Sequence, residues 1–217
     1  MDRSVKDFQL FARDHKVSSN TFYGYFNPYI IEERKLNVAT MDVFSRLMMD
    51  RIIFVGTEID NDVANIVQAQ LLYLQSLDDK ADVSLYLNTP GGIVSAGLGI
   101  YDTMQLIKPN VNTICTGLAA SMGSILLVAG KERSILPHAK VMIHQPLIPE
   151  GIGGKETEIS ILAKDLSQTR KTISKILSKH TGKSLKQIEK DIENDRYMNA
   201  EEAIRYGIAD TIIESEV

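Results

Sequence analysis

The chain has 217 residues, 44% of them hydrophobic, a formal net charge of -4 and one cysteine, which is enough apolar material for one good core. A mildly acidic balance without a long basic run argues against nucleic acid as a partner. The lone Cys115 excludes an intramolecular disulfide and fits a reducing compartment, and no stretch is long or apolar enough for a transmembrane helix, so a soluble, cytoplasmic protein is expected. In chain order, Met1 to Asn27 is a polar leader with scattered aromatics (Phe22, Tyr23, Tyr25, Phe26), without an apolar signal core. Its acidic residues Asp2, Asp7 and Asp14 speak against an organelle transit peptide. MDVFSRLMMD reads as a short helix with methionines as core or interface filler, and RIIFVG as a buried strand. Asn61 is the expected cap of a helix running to about Ser76. Its apolar residues Ile66, Ala69, Leu71, Leu72 and Leu74 make a wider surface than one core-facing stripe requires, and that points to a second partner, a neighbouring subunit.

VSLYLN, Val83 to Asn88, is the next strand, followed by the turn Thr89-Pro90-Gly91-Gly92 and a helix from about Val94 to Ile107. Then comes VNTIC, Val111 to Cys115, and the small-residue stretch GLAASMGS, Gly117 to Ser124, leading into the apolar run SILLVAG closed by Gly130. Ser121 therefore stands at a strand-to-helix junction. It is either a helix N-cap or an exposed nucleophile with unpaired N–H groups beside it. The small neighbours Ala119, Ala120 and Gly123 permit the tight turn of a nucleophile elbow, although Ala119 occupies the place of the first glycine in GxSxG. Cys115, six residues earlier, is a conceivable rival nucleophile that reads more simply as a small buried hydrophobe.

A serine nucleophile needs a base. His15, His138 and His180 fall in polar or charged surroundings and read as surface residues, whereas His144 follows the apolar strand Val141-Met142-Ile143 and emerges at a strand end, where sites in α/β folds collect. The glycine-containing loop LIPEGIGGKETE precedes a long helix from about Glu156 to His180. Ser184 caps a further helix, and Asn199 with Glu202 forms the capping box of another. Asp195 lies between those two helices in a loop suited to orienting an imidazole, while Asp191 belongs to the first helix. The tail Ile208 to Ile213 reads as a last strand. Gly182-Lys183-Ser184 lacks the upstream glycine of a P-loop and Gly97-Leu98-Gly99 lacks a third glycine, so no nucleotide site and no cofactor is expected.

NTPGG, AASMGS and MIHQP, in this order, resemble the proteolytic subunits of the Clp protease family, self-compartmentalised serine peptidases, over roughly Pro28 to Ile213. The resemblance implies an α/β fold of the crotonase-like superfold, built of repeated ββα units with a protruding helical handle, in a single peptidase domain from 28 to 217; the leader at 1–27 is by resemblance a propeptide removed by self-cleavage, and by composition alone a disordered tail. The resemblance implies a catalytic trio of Ser121, His144 and Asp195, with the backbone N–H groups of Gly92 and Met122 forming the oxyanion hole. It further implies two stacked heptameric rings (a tetradecamer), a hexameric AAA+ unfoldase that uses the ATP, and unfolded polypeptides as substrates. No metal is required. Tyr86 and Leu106 match positions of an apolar docking pocket for the unfoldase, though both also suit a core, and Glu33 to Met41 corresponds to the axial loop. Two departures stand out. The axial segment ERKLNVATM lacks the usual glycine and aromatic, and Asn194 replaces an arginine that pairs across the ring interface in many relatives. Two other classes stay open: an acyl-CoA enzyme of the same fold, and a ring subunit that assembles without catalysing.

Overall fold

A computed structural model describes residues 29–34, 37–148 and 153–214. The leader with His15 and part of the loop before the long helix lie outside the described residues. Two compact units divide at residues 46 and 47.

In the first unit, β1 (Tyr29–Arg34) and β2 (Asn37–Asp42) form an antiparallel hairpin, Tyr29 opposite Asp42 and Arg34 opposite Asn37. Of the segment Glu33 to Met41, Glu33 and Arg34 thus lie in β1 and Asn37 to Met41 in β2, and residues 35 and 36 lie outside the described residues. The Asp42 carboxylate accepts from the N–H groups of Phe44 and Ser45, both at 3.0 Å, and starts α1 (Val43–Met49).

The second unit holds a seven-stranded sheet. Its strands β3 (Ile52–Val55), β4 (Val83–Thr89), β5 (Val111–Ala120), β6 (Arg133–Ile135) and β9 (Thr211–Ile212) are hydrogen-bonded side by side in that order and run parallel. β7 (Lys140–Ile143) joins β5 in parallel, and β8 (Arg196–Met198) pairs with β7 antiparallel. Helices α2 (Asn61–Leu77), α3 (Val94–Leu106) and α4 (Met122–Val128) follow β3, β4 and β5 in turn. The connections from β3 to β4 and from β4 to β5 are therefore strand–helix–strand crossovers.

The long β5 decides the geometry. Its residues Thr113 to Cys115 pair with β6, and Leu118 to Ala120 pair with β7. Between them the register against β4 shifts, so that Thr116, Gly117 and Leu118 face Asn88 alone. Asn88 Oδ1 accepts from the Leu118 N–H at 3.1 Å, and a Cβ on Gly117 would lie 2.6 Å from that oxygen, so the bulge needs glycine there. What reads in sequence as a strand ending at Cys115 and a small-residue turn is one bulged strand that changes partners.

Three other expectations are corrected. The β3 strand is buried only on alternate residues. Ile53 and Val55 face the core while Phe54 is exposed and stacks on Tyr86 with ring centroids 6.1 Å apart, as at a sheet edge. The cap of α2 is Asp60, whose carboxylate accepts from the Val63 N–H at 2.8 Å, and Asn61 is the first helical residue. The terminal strand shrinks to Thr211 and Ile212, because Gly207, at φ +92°, ends a helix and Ile208 and Ala209 are buried behind it.

Helix α2 presents Ala64, Val67, Leu71 and Leu74 to the core and leaves Ile66, Leu72, Tyr73 and Leu77 exposed. Just past its C-terminus Arg51, held at φ +63°, donates to the Leu74, Asp78 and Ala81 oxygens at 3.0, 3.2 and 2.7 Å and ties the last turn of α2 to the segment that follows it. The long α5 (Glu156–Thr181) is buried only through Ile173, Ser174, Ile176 and Leu177, while Ile159 and Ile161 stand exposed in its first half. It is followed by α6 (Leu185–Asp191), capped by Ser184, and α7 (Ala200–Tyr206), started by the Asn199–Glu202 capping box.

Candidate active site

Ser121 is the single residue between β5 and α4. Its φ of 52° and ψ of -119° are a conformation that a serine adopts only at a cost of about 1–3 kcal/mol, and its side chain makes no capping bond. The capping alternative therefore does not describe it. The backbone is pinned by the Ser121 N–H donating to the Met142 carbonyl at 2.9 Å, and by Ser124, whose hydroxyl donates to the Ser121 carbonyl at 2.7 Å. The freed hydroxyl lies 2.9 Å from His144 Nε2.

His144 follows the last residue of β7, the strand paired with the end of β5, so one ladder delivers both residues to the same edge. Its ring is 16% exposed, and Nδ1 lies 3.1 Å from Asp195 Oδ1. Asp195 is placed by the antiparallel partner: β8 begins at Arg196, opposite Ile143. Residues 121, 144 and 195, far apart in sequence, form one row of side chains because three neighbouring strands end or begin together. With Nδ1 protonated and donating to Asp195, Nε2 accepts from the serine hydroxyl, the arrangement for general-base activation of a nucleophile.

Gly91 and Gly92 close in from the turn after β4. At φ +97° and +149° both occupy backbone space that favours glycine. A Cβ on Gly91 would fall 2.6 Å from Ser121 Cβ, and one on Gly92 would fall 2.3 Å from the Ile59 carbonyl oxygen. Gly92 bridges Ile59 in parallel through its neighbours: Ile59 N–H donates to the Gly91 carbonyl at 2.7 Å and Ile93 N–H to the Ile59 carbonyl at 2.8 Å. The Gly92 N–H therefore points away from Ile59 and has no partner among the described residues, and the same holds for the Met122 N–H at the start of α4.

Beside the serine lies a cleft lined by Val94, Ile125, Ile143, Pro146, Ile173 and Leu177. The two α5 residues among these escape sequence reading, because nothing local in a long helix says which turn meets the site. Gln145 is a second omission: it donates from its backbone N–H to the Ile192 carbonyl at 2.7 Å and from its amide to the Glu193 carbonyl at 3.0 Å.

The remaining candidates separate cleanly. Cys115 is fully buried, and burial pushes its thiol up to about 12, so it carries no thiolate at neutral pH. His138 is exposed, as expected. His180 differs from expectation: it is half-buried, its Nε2 lies 3.0 Å from the Tyr101 hydroxyl, and burial, with the charges of Lys179 and Arg133, pushes its pKa down. Tyr86 and Leu106 are neither of them core; Tyr86 is partly exposed against Phe54, and Leu106 is 78% exposed. Among the described residues no group of His, Cys, Asp and Glu is arranged to hold a metal, and no helix is long and apolar enough to cross a membrane.

A family model for the Clp protease matches residues 34–216. The chain belongs to the Clp protease family. As a member it is a serine peptidase with a mixed α/β fold. It is 57% identical over 193 residues to the ATP-dependent Clp protease proteolytic subunit of Porphyromonas gingivalis, covering 88% of this chain and 86% of that one. Proteins of the same name from Bacteroides fragilis and Bacteroides thetaiotaomicron are 55% and 53% identical over 192 residues, again 88% of this chain, covering 92% and 86% of theirs.

Proposed function

We propose that this Clp-family chain cleaves polypeptides by acyl transfer through Ser121. His144 Nε2 takes the hydroxyl proton as Oγ adds to the peptide carbonyl, and the Gly92 and Met122 N–H groups receive the developing oxyanion. The same imidazole then protonates the leaving amine, and a water activated by His144 hydrolyses the acyl-enzyme. Asp195 fixes the tautomer and stabilises the imidazolium. The row of hydrogen bonds at 2.9 and 3.1 Å is the observation that carries this reading.

The reading extends to the assembly. The chain forms two stacked heptameric rings of the crotonase-like superfold, from a single domain at 28–217 after loss of residues 1–27, in the cytoplasm and without a cofactor of its own. A hexameric AAA+ unfoldase feeds it folded substrates with ATP, consistent with the "ATP-dependent" in its relatives' names. The exposed apolar face of α2 and the exposed first half of α5 support subunit contacts within and between rings. Exposed Leu106 and the Phe54–Tyr86 stack support docking of the unfoldase.

Intact mass after fluorophosphonate treatment tests the chemistry. The expected result is one adduct on Ser121, absent in His144→Ala; an adduct that persists without His144, or none on the assembled protein, would sink it. Tyr86→Ala tests docking: unfoldase-dependent proteolysis should vanish while small-peptide cleavage survives, and loss of both together would refute that assignment.

A further inference from the structure

Asp195 is the least enclosed of the three residues. Its side chain is 59% exposed, and among the described residues its carboxylate makes one hydrogen bond, to His144. An orienting carboxylate works only if its own position is fixed, since a misplacement of about 1 Å costs on the order of 100-fold in rate. The fixing has to come from neighbours.

Residues 192–195 form the connection from α6 to β8. On one side Gln145 holds the Ile192 and Glu193 carbonyls. On the other, the two residues flanking the connection are tied together: Asp191 Oδ1 meets Arg196 Nη1 at 2.7 Å. Asp191 is only 6% exposed on its side chain, against 45% for Arg196. It accepts further bonds from Gln187 Nε2 at 2.9 Å and from the Tyr206 hydroxyl at 2.8 Å. The buried Tyr206 ring in turn carries the Arg196 guanidinium 5.0 Å and the Lys183 ammonium 4.6 Å from its centroid. Burial alone would raise the Asp191 pKa; the bonds from Gln187 and Tyr206 and the charges of Arg196 and Lys183 outweigh it and hold the carboxyl below its ordinary value. An ionised carboxylate enclosed this way is the fixed point of a clamp whose movable end is the residue next to Asp195.

We propose that Asp191 is a positioning residue for the peptidase reaction: by tying Arg196 to Tyr206 across the ends of the 192–195 connection, it holds the Asp195 carboxylate against His144 Nδ1. The proposal rests on the reading of Ser121, His144 and Asp195 as the catalytic row. It makes Asp191 and Arg196 act on chemistry without touching substrate, and only through Asp195.

The test is a double-mutant cycle on the full-length assembled protein, with kcat and KM for a short fluorogenic peptide and the rate of fluorophosphonate labelling as readouts. Asp191→Asn keeps the size of the side chain, and Arg196→Gln breaks the same link at its exposed end. Size-exclusion retention checks that each variant assembles. Each substitution should lower kcat about tenfold with KM within about twofold, and each should change the residual rate less than about twofold once Asp195 is alanine. An equal loss with and without Asp195, or no loss in either single variant, would overturn the proposal and leave the catalytic row standing. An Asp195→Ala variant with undiminished kcat would remove the row itself, and the proposal with it.

Discussion

Ser121 and Asp195 stand on either side of His144 and are held there by different kinds of force. Around Ser121 the helix from Met122 to Val128 is buried throughout, Gly91 lies against the serine Cβ, and the backbone is tied into the β5–β7 ladder through Met142. Asp195 is exposed on a short connection, fixed by Gln145 and by the Asp191–Arg196 link. The serine's geometry is a product of close packing, which tolerates almost no displacement. The carboxylate's geometry is a product of polar contacts near solvent, which can be weakened one at a time. A change of conditions should therefore disturb the position of Asp195 before it disturbs that of Ser121.

The sharpest break of this comparison is Ser121→Ala. Removing the nucleophile should cost on the order of 10⁶-fold in kcat, measured on a fluorogenic peptide, with the thermal midpoint hardly changed. Asp195→Asn reverses the imidazole tautomer and should cost on the order of 10⁴-fold, again with little effect on stability, since the side chain is largely exposed. Gly92→Ala belongs to the packed side and should behave differently. Its Cβ would collide with the Ile59 carbonyl at φ +149°, so it should lose roughly 10²–10³-fold in rate and also lower the thermal midpoint. A Gly92→Ala protein that melted normally would contradict the packing account of the serine side. The smallest effect concerns Cys115. Its thiol, raised to about 12 by burial, should resist iodoacetamide in the folded protein at pH 9, where an unfolded chain with an ordinary thiol reacts. Alkylation at equal rates in both states would show that the strand beside the serine opens readily.

Several elements were legible because their signals are local. The capping box at Asn199 and Glu202, the Ser184 cap and the strand before His144 follow from residue types within one turn or one strand. The cap of α2 was misplaced by one residue because Asp60 and Asn61 carry equivalent signals, and only the extended backbone of Asp60 separates them. Phe54 looked buried because hydrophobicity does not report which strand lies at a sheet edge. His180 looked exposed because its contact, Tyr101, is 79 residues away.

The sequence by itself determined the chemical inventory and its order: a serine between small residues at a strand-to-helix junction, a histidine at a strand end, an aspartate between two capped helices, and a glycine pair after a strand. These are short-range facts of conformation, readable from what each residue permits its own backbone to do. Tertiary structure alone decided that β5 bulges at Gly117 and exchanges β6 for β7, so that Ser121, still the residue before α4, turns its hydroxyl to His144 instead of capping the helix. It also decided that α5 lines the cleft and that Asp191 reaches Arg196 and Tyr206 together. The physical reason is that register, burial and ion pairing between distant segments depend on which surfaces meet, and local propensity is blind to that choice.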